Sequence, residues 1–341
     1  MCAHGNEKKV STISATIKDI AKKCGVSEGT VDRALNNRCG IKKETKEKIM
    51  QVAEELGYRP NHMASCLARG NTKTIGVVCA GIMNAFFSSF VEAIEREAYE
   101  NGYYLTLILT HNSKEKEREG IIYLAERQVD GLIIFPIGQG KDYEQWLLQF
   151  NIPIVTVYNR ISDKFVHVDV DGRHIMQEAV SRIVKKGYKR IAYIDVGYDI
   201  AICHDNNRYS LNQRRQGYLD GVQEQQLGEP LVMTRVDEKA IKSFIEADGG
   251  KPAILCPFDN VAIRVLNLMR NQGISVPEQV GIMGFDNIPL LDSISPRLYS
   301  VDCETKEMGR NAFSILLKMM RGNMNVSDCM TDYTFTEGCS L

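Results

Sequence analysis

The chain has 341 residues, 44% hydrophobic and 25% charged, with a formal net charge of −1, a globular composition at a length where chains split into more than one packed unit. No apolar run approaches the roughly 18 residues that a membrane span needs, so no membrane partner is expected. The ten cysteines are scattered singly from Cys2 to Cys339 without a C-x-x-C pair, which argues for reduced thiols and against disulfides or a metal site.

At the N-terminus, MCAHGNEKKVSTIS carries two lysines with no apolar stretch behind them. No secretory signal is read there, so residues 1–14 are expected to be a disordered arm and the protein cytoplasmic. Residues 1–72 hold thirteen Lys/Arg against eight Asp/Glu, whereas the remainder holds 29 against 35. A basic head on an acidic body suits polyanion binding. Thr16 reads as the cap of a first helix, residues 16–24, with Asp19 in its first turn. Ile17, Ile20, Ala21 and Cys24 form its apolar stripe. Gly25 stops it, Val26 and Ser27 make a turn, and Ser27 caps a second helix over 28–36 whose Val31, Ala34 and Leu35 face the first. A third amphipathic helix is expected over 43–56, with Ile49, Val52, Ala53 and Leu56 on one side and Lys42, Lys43, Lys46 and Lys48 on the other. Two short helices about a glycine turn are the helix-turn-helix pattern. Periodicity alone also admits a generic bundle with a solvated basic face.

Residues 16–37, TIKDIAKKCGVSEGTVDRALNN, resemble the head of the LacI/GalR repressor family, and the match continues through Thr45, the run ELGY at 55–58, Pro60 and Asn61. The resemblance implies a DNA-binding domain over 15–60 whose second helix enters the major groove. Glu28, Gly29 and Arg33 would then face base edges, Arg33 able to fork onto guanine. Thr16, Ser27, Thr30, Asn36 and Tyr58 would position the head on the backbone, and Asn61 is a further DNA-binding residue by the resemblance. The chain departs from the family at Asp32, where serine is usual, and at Gly29, which offers no side chain.

Residues 61–72 read as a hinge linker, with a helical run too short to be stable alone. By the resemblance it folds on operator, and Leu67 matches a leucine wedged into the minor groove. From Thr74, apolar runs alternate with amphipathic helices: TIGVVC, YLTLILT, GLIIFP and IPIVTV, then RIAYIDV, AILCPF and VGIMGFD. This alternation predicts α/β architecture with doubly wound parallel sheets in two lobes, and ligands of such sheets bind at the carboxyl ends of the strands. The core, 73–341, resembles the periplasmic-binding-protein-like fold of LacI/GalR cores, with an N-lobe of about 73–168 and 303–325 and a C-lobe of about 169–302 and 326–341. The resemblance implies effector contacts at Asn84, Phe86, Phe87, Arg160, Arg214, Asp259 and Asp286; Ala85 and Asn159 replace the usual proline and aspartate. Rings that cover a sugar face, with Arg and Asp that pair with hydroxyls, fit a polyol. Two arginines also admit a carboxylated or phosphorylated sugar.

Enzymatic readings are weaker. Gly138 and Gly140 lack the third glycine of a dinucleotide loop, and no phosphate loop occurs. His167, Asp169, Asp171 and His174 suggest a metal site, but strand alternation sends His174 away from the other three. The sequence therefore predicts no enzyme, no metal and no cofactor. It predicts a repressor of carbohydrate genes that binds a pseudo-palindromic double-stranded DNA operator as a homodimer, with a small effector, expected to be a sugar, in the core cleft. A purine-type corepressor-dependent regulator and a sugar-binding transport protein are the alternatives.

Overall fold

A reciprocal cap starts the first helix. In the computed structural model, which describes residues 15–59, 71–196 and 205–341, the Thr16 hydroxyl accepts from the Asp19 N–H at 3.3 Å while the Asp19 carboxylate accepts from the Thr16 N–H at 2.9 Å. This capping box opens α1, Ile17–Cys24, and Gly25 closes it at φ 72°, a left-handed conformation least costly for glycine. Ser27 caps α2, Glu28–Leu35, and α3 spans Lys43–Glu55. Asn36 and Leu56, expected inside their helices, are the C-caps. Ile20, Val31 and Ile49 are fully buried and fill the centre of this head. The chain divides between Gly70 and Asn71, and the core is taken by itself.

Six strands form the first sheet of the core: β1 Thr74–Cys79, β2 Tyr104–Leu109, β3 Gly131–Ile134, β4 Ile154–Val157, β5 Val166–Asp169 and, from near the end of the chain, β11 Cys329–Met330. Their order is β11-β5-β4-β3-β1-β2, all pairs parallel. Helices α4 Ala85–Glu100, α5 Lys114–Glu126, α6 Lys141–Leu148 and α11 Thr305–Met320 accompany it. The second sheet, β7-β6-β8-β9, is also parallel and joins β6 Arg190–Ile194, β7 Leu231–Met233, β8 Pro252–Leu255 and β9 Gly281–Met283. Its helices are α7 Gly172–Lys185, α8 Tyr209–Glu224, α9 Glu238–Glu246 and α10 Asp259–Asn271. A two-stranded antiparallel pair, β10 Ser300–Asp302 with β12 Thr334–Thr336, completes the fold. The doubly wound, two-lobed expectation matches this architecture.

Two details differ from the sequence reading. The C-lobe return expected at 326 comes later, because Cys329–Met330 pairs with β5 in the first sheet. Strand β7 had no signal, since three residues at a sheet edge are too short to show a period. In both sheets the strand order turns about the first strand of the series, β1 between β2 and β3, β6 between β7 and β8. Such switch points open a crevice at the carboxyl ends of the strands. Among the described residues no helix is long and apolar enough to cross a membrane.

Helices α7 and α8 approach unusually closely at Gly217, where a Cβ would stand 2.0 Å from the Arg173 carbonyl oxygen. Gly217→Ala therefore forces the two helices apart. Thermal denaturation of the full chain is expected to show a loss of about 2–3 kcal/mol in the core transition, whereas Gly29→Ala, on the exposed surface of α2, leaves that transition in place.

Candidate functional site

The head presents α2 outward. Glu28, Gly29 and Arg33 are exposed on it, with Thr30 and Asp32 half-buried. Ser27 and Thr30 share a hydroxyl hydrogen bond of 2.9 Å, and the Thr16 hydroxyl donates to Asp19 at 2.7 Å. These hydroxyls thus build the starts of α1 and α2. The Asn36 amide donates to the Asp32 carboxylate at 2.8 Å and to its carbonyl at 2.9 Å. Asp32 also faces Arg38 at 3.6 Å. The Asp32 carboxylate, whose charge alone would oppose a phosphate, is thereby matched by a cation from the loop after α2. Tyr58 is half-buried against the head core, and this burial pushes its phenol upward. Asn61 and Leu67 lie outside the described residues.

In the core, a cavity of about 350 Å³ opens between the facing strand ends of the two lobes, within the usual range for small-ligand sites. Asn84, Phe86, Phe87 and Asp286 of the expected set line it. Asn84 also caps α4, its side-chain oxygen accepting from the Phe86 N–H at 3.1 Å. Phe86 and Phe87 sit edge to face at 5.3 Å, Phe87 against Phe135 at 5.1 Å and Phe86 against Tyr158 at 4.6 Å. Phe258 adds a ring from the other lobe.

Three expected contacts are placed differently. The Arg160 guanidinium turns out of the cleft into ion pairs with Asp163 at 2.7 Å and Asp328 at 2.6 Å; its neighbour Asn159 occupies the wall. Asp259 is fully buried, one oxygen accepting from the Ser300 hydroxyl at 2.6 Å and the other from the Ile288 N–H at 2.9 Å. Its carboxylate ties β10 and the loop after β9 to the start of α10 and does not reach the cavity wall. Arg214 lies behind that wall, fully buried, with Nη1 donating to the Pro257 carbonyl at 2.5 Å. Its guanidinium stacks on Phe285 at 3.6 Å and faces Asp286 at 3.9 Å.

The sequence reading missed the segment just before α8. Asn206 donates to the Asn112 carbonyl at 3.0 Å, the Asn207 N–H to Ile137 O at 2.7 Å, and the Asn207 amide to Arg160 O at 3.0 Å. Gln139 returns a bond to Asp205 O at 3.1 Å, and Ser210 N–H donates to Asn159 at 3.2 Å. These bonds join the lobes across one side of the cleft. The loop they meet is itself held from below: buried Glu117 accepts from Ile137 N–H, Gly138 N–H and the Tyr143 hydroxyl at 2.6–2.8 Å, while its burial pushes the carboxyl upward. An asparagine pair immediately before a helix was the available cue, since asparagine side chains commonly bond loop backbone.

The suspected metal cluster dissolves. His167 lies between Thr156 at 3.0 Å and Asp169 at 3.3 Å within the sheet, and Asp171 caps α7 by accepting from the His174 N–H. Among the described residues no group of His, Cys, Asp and Glu could hold a metal.

A helix-turn-helix head on the same chain as a two-lobed core with a ligand-sized cleft defines a DNA-binding transcription regulator. Residues 16–61 match the family described as bacterial regulatory proteins, lacI family, and residues 180–336 match the periplasmic binding protein-like domain. The chain is 29% identical over 319 residues to the HTH-type transcriptional repressor PurR of Vibrio atlanticus (strain LGP32), covering 90% of this chain and 92% of that protein. It is 29% identical over 325 residues to the HTH-type transcriptional repressor CytR of Escherichia coli (strain K12), covering 92% of each. A crystal structure of the Lac repressor dimer bound to operator and the anti-inducer ONPF superposes with a TM-score of 0.82 at 20% identity, over 96% of this chain and 98% of that one. The chain thus joins a lacI-type regulatory head to a periplasmic binding protein-like domain, and over nine-tenths of its length it is similar to DNA-binding transcriptional repressors. These relatives are transcriptional repressors.

Burial raises the Asp259 carboxyl to about 7 despite its hydrogen bonds. The folded state therefore holds this proton while the unfolded chain releases it near pH 4, so folding is most favoured below that point and loses up to about 1.4 kcal/mol per pH unit as pH rises toward 7. In Asp259→Asn, which keeps an acceptor for Ile288, urea titrations from pH 4 to 8 are expected to lose this falling slope; an unchanged slope assigns it to other groups.

Proposed function

We propose that the chain is a homodimeric repressor that sets two heads on the half-sites of a pseudo-palindromic operator, and that a sugar or sugar derivative in the core cleft shifts its operator affinity. Residues 15–60 read DNA, 61–72 form the hinge, and 73–341 bind effector and dimerise. A two-fold protein matches a two-fold DNA site. On the head, Glu28, Gly29 and Arg33 are the exposed groups of α2 and carry base readout, with Arg33 the group suited to guanine. Thr16, Ser27, Thr30, Asn36 and Tyr58 position the head on the DNA backbone.

The observation that carries the ligand assignment lies in the cleft. Tyr158, Asn206 and Asp286 line it, and Tyr158 Oη, Asn206 Oδ1 and Asp286 Oδ1 are buried with no hydrogen-bond partner among the described residues. Leaving such groups unpaired costs about 1–3 kcal/mol each, and a ligand that supplies hydroxyls satisfies them while Phe86 and Phe87 cover its apolar face. The bonds from Asn206 and Asn207 to the other lobe close beside this site, so a ligand held by both lobes favours one lobe arrangement. Binding then biases a two-state equilibrium, and the coupling between effector and operator is reciprocal.

Selection of operator sequences from random duplex DNA with the full chain is expected to return an inverted repeat. Arg33→Ala should weaken binding to it by about 1–3 kcal/mol and relax one position in each half-site. A sugar that raises the core melting temperature at saturation, by the equivalent of about 2.7 kcal/mol at a hundred times its Kd, must also change operator affinity. Identical operator affinity with and without that sugar overturns the proposal.

A further inference from the structure

We infer that Glu117 is a positioning residue for the joint between the two lobes: from beneath the cleft, its carboxyl group holds the loop at 135–140 in the conformation that accepts bonds from Asn207 of the other lobe. The role is the same whichever ligand the cleft takes.

The loop is fastened from two sides. Glu117, on α5 and fully buried, accepts from the Ile137 N–H at 2.7 Å, from the Gly138 N–H at 2.8 Å and from the Tyr143 hydroxyl of α6 at 2.6 Å. The carbonyls of the same two loop residues turn the opposite way. Ile137 O accepts from the Asn207 N–H at 2.7 Å, and Gly138 O accepts from the Asn207 side-chain amide at 3.4 Å. One carboxyl group thus takes both N–H groups, and one asparagine takes both carbonyls. The peptide unit between Ile137 and Gly138 lies directly in this path, its N–H on Glu117 and its oxygen on Asn207. Hydrogen bonds in series polarise one another, so the acceptor beneath the loop strengthens the bond above it.

Local chemistry accounts for the residues at this place. The Tyr143 ring lies against Gly138, where a Cβ would stand 2.4 Å from it, so a side chain there would push the hydroxyl off Glu117. Gly140, at φ 87°, turns the chain into α6. The two glycines that suggest a fragment of a dinucleotide loop serve instead to bring a tyrosine onto a buried carboxyl group. An alkyl side chain of the same size in place of Glu117 would leave two N–H groups and a hydroxyl unpaired inside the lobe.

On the far side Asn207 is equally committed. Its side-chain oxygen accepts from the Tyr209 N–H at 3.1 Å, where α8 begins, and its amide also donates to Arg160 O at 3.0 Å. Ile137, 5% exposed, lines the cavity between these two fastenings. A displaced loop therefore moves a wall residue and breaks the bonds to the start of α8 together, although the bonds of the Glu117 carboxyl group all lie within its own lobe.

Hydrogen exchange of the intact protein, followed by mass spectrometry in the segments 135–140 and 205–211, tests this. Glu117→Gln keeps the side-chain length, but whichever way it turns, its amide nitrogen faces a backbone N–H. Both segments are then expected to exchange about tenfold faster. Tyr143→Phe, which removes one donor and keeps the ring on Gly138, should loosen both to a smaller extent. Leu124→Ala, on the same helix over Gly76 of β1, is the control: it lowers the stability of the lobe without removing a bond to the loop, and 205–211 should keep its protection. Faster exchange at 135–140 with 205–211 unchanged in Glu117→Gln confines Glu117 to its own lobe and overturns the inference. A loss of protection at 205–211 as large in Leu124→Ala as in Glu117→Gln overturns it too. If Glu117→Gln does not fold, Tyr143→Phe decides by the same comparison.

Discussion

A buried guanidinium imposes the arrangement of the core. Arg214, 1% exposed, projects from α8 to the place where the carboxyl ends of β4, β8 and β9 meet. Removing a cation from water is costly unless its hydrogen bonds and charge are answered locally. Pro257 O answers one nitrogen, the Phe285 face lies 3.6 Å from the guanidinium carbon, and Tyr158 and Phe258 flank it at 5.3 and 5.1 Å. Gly172, at the start of α7, leaves room for the arginine stem, since a Cβ there would sit 3.3 Å from it. The remaining nitrogen is directed toward Asp286. Strand ends from both lobes are thereby gathered around one charge, and the cleft wall is built on what surrounds it.

The joint between the lobes follows from the same geometry. Asp286, at φ 107°, and Asn287, at φ 48°, turn the chain sharply after β9, and the Asp286 N–H donates to Val301 O at 2.9 Å. Non-glycine residues hold such conformations only where surrounding bonds enforce them. Here the Asn287 amide reaches Asp302 at 2.9 Å, and its oxygen accepts from Arg297 at 3.1 Å and from the Thr336 hydroxyl at 3.2 Å. The back of the cleft is thus over-determined by a dense polar lattice. The opposite side is joined by a few bonds from residues 205–210. The two sides of the cleft therefore differ in how densely they are bonded.

Much of this was legible in the sequence, for reasons that differ by element. The head was legible almost residue by residue, because Thr16, Asp19, Gly25 and Ser27 act through local backbone bonds that depend on spacing alone. The two sheets were legible because apolar runs alternating with amphipathic helices admit few other arrangements. The cleft was legible only in part. Position after a strand places a residue near the crevice but does not say where its side chain turns: Phe86 and Asp286 face the cavity, whereas Arg160 finds Asp328, 168 residues away in sequence, and Asp259 finds Ser300. Partners that distant leave no local pattern. Phe135 reads as the end of a buried strand and Phe258 as a residue ahead of a helix, and only the facing of two lobes makes both into walls of one site.

The same principle of prior pairing operates at the other end of the chain. Asp32 replaces a serine on the helix expected to approach DNA, and its carboxylate would oppose a phosphate backbone if it stood alone. It is joined to Asn36 and faces Arg38. Ion pairs this exposed contribute little to stability, so their effect lies in where charge is presented. The acid is balanced at the end of α2, and Glu28 sits at the start of that helix, where a negative charge suits the helix dipole. Arg33, exposed between them, is left as the long cationic side chain of the helix. In the head as in the cleft, most charges are matched inside the protein before any partner arrives, and discrimination falls to the groups presented at the surface of each site.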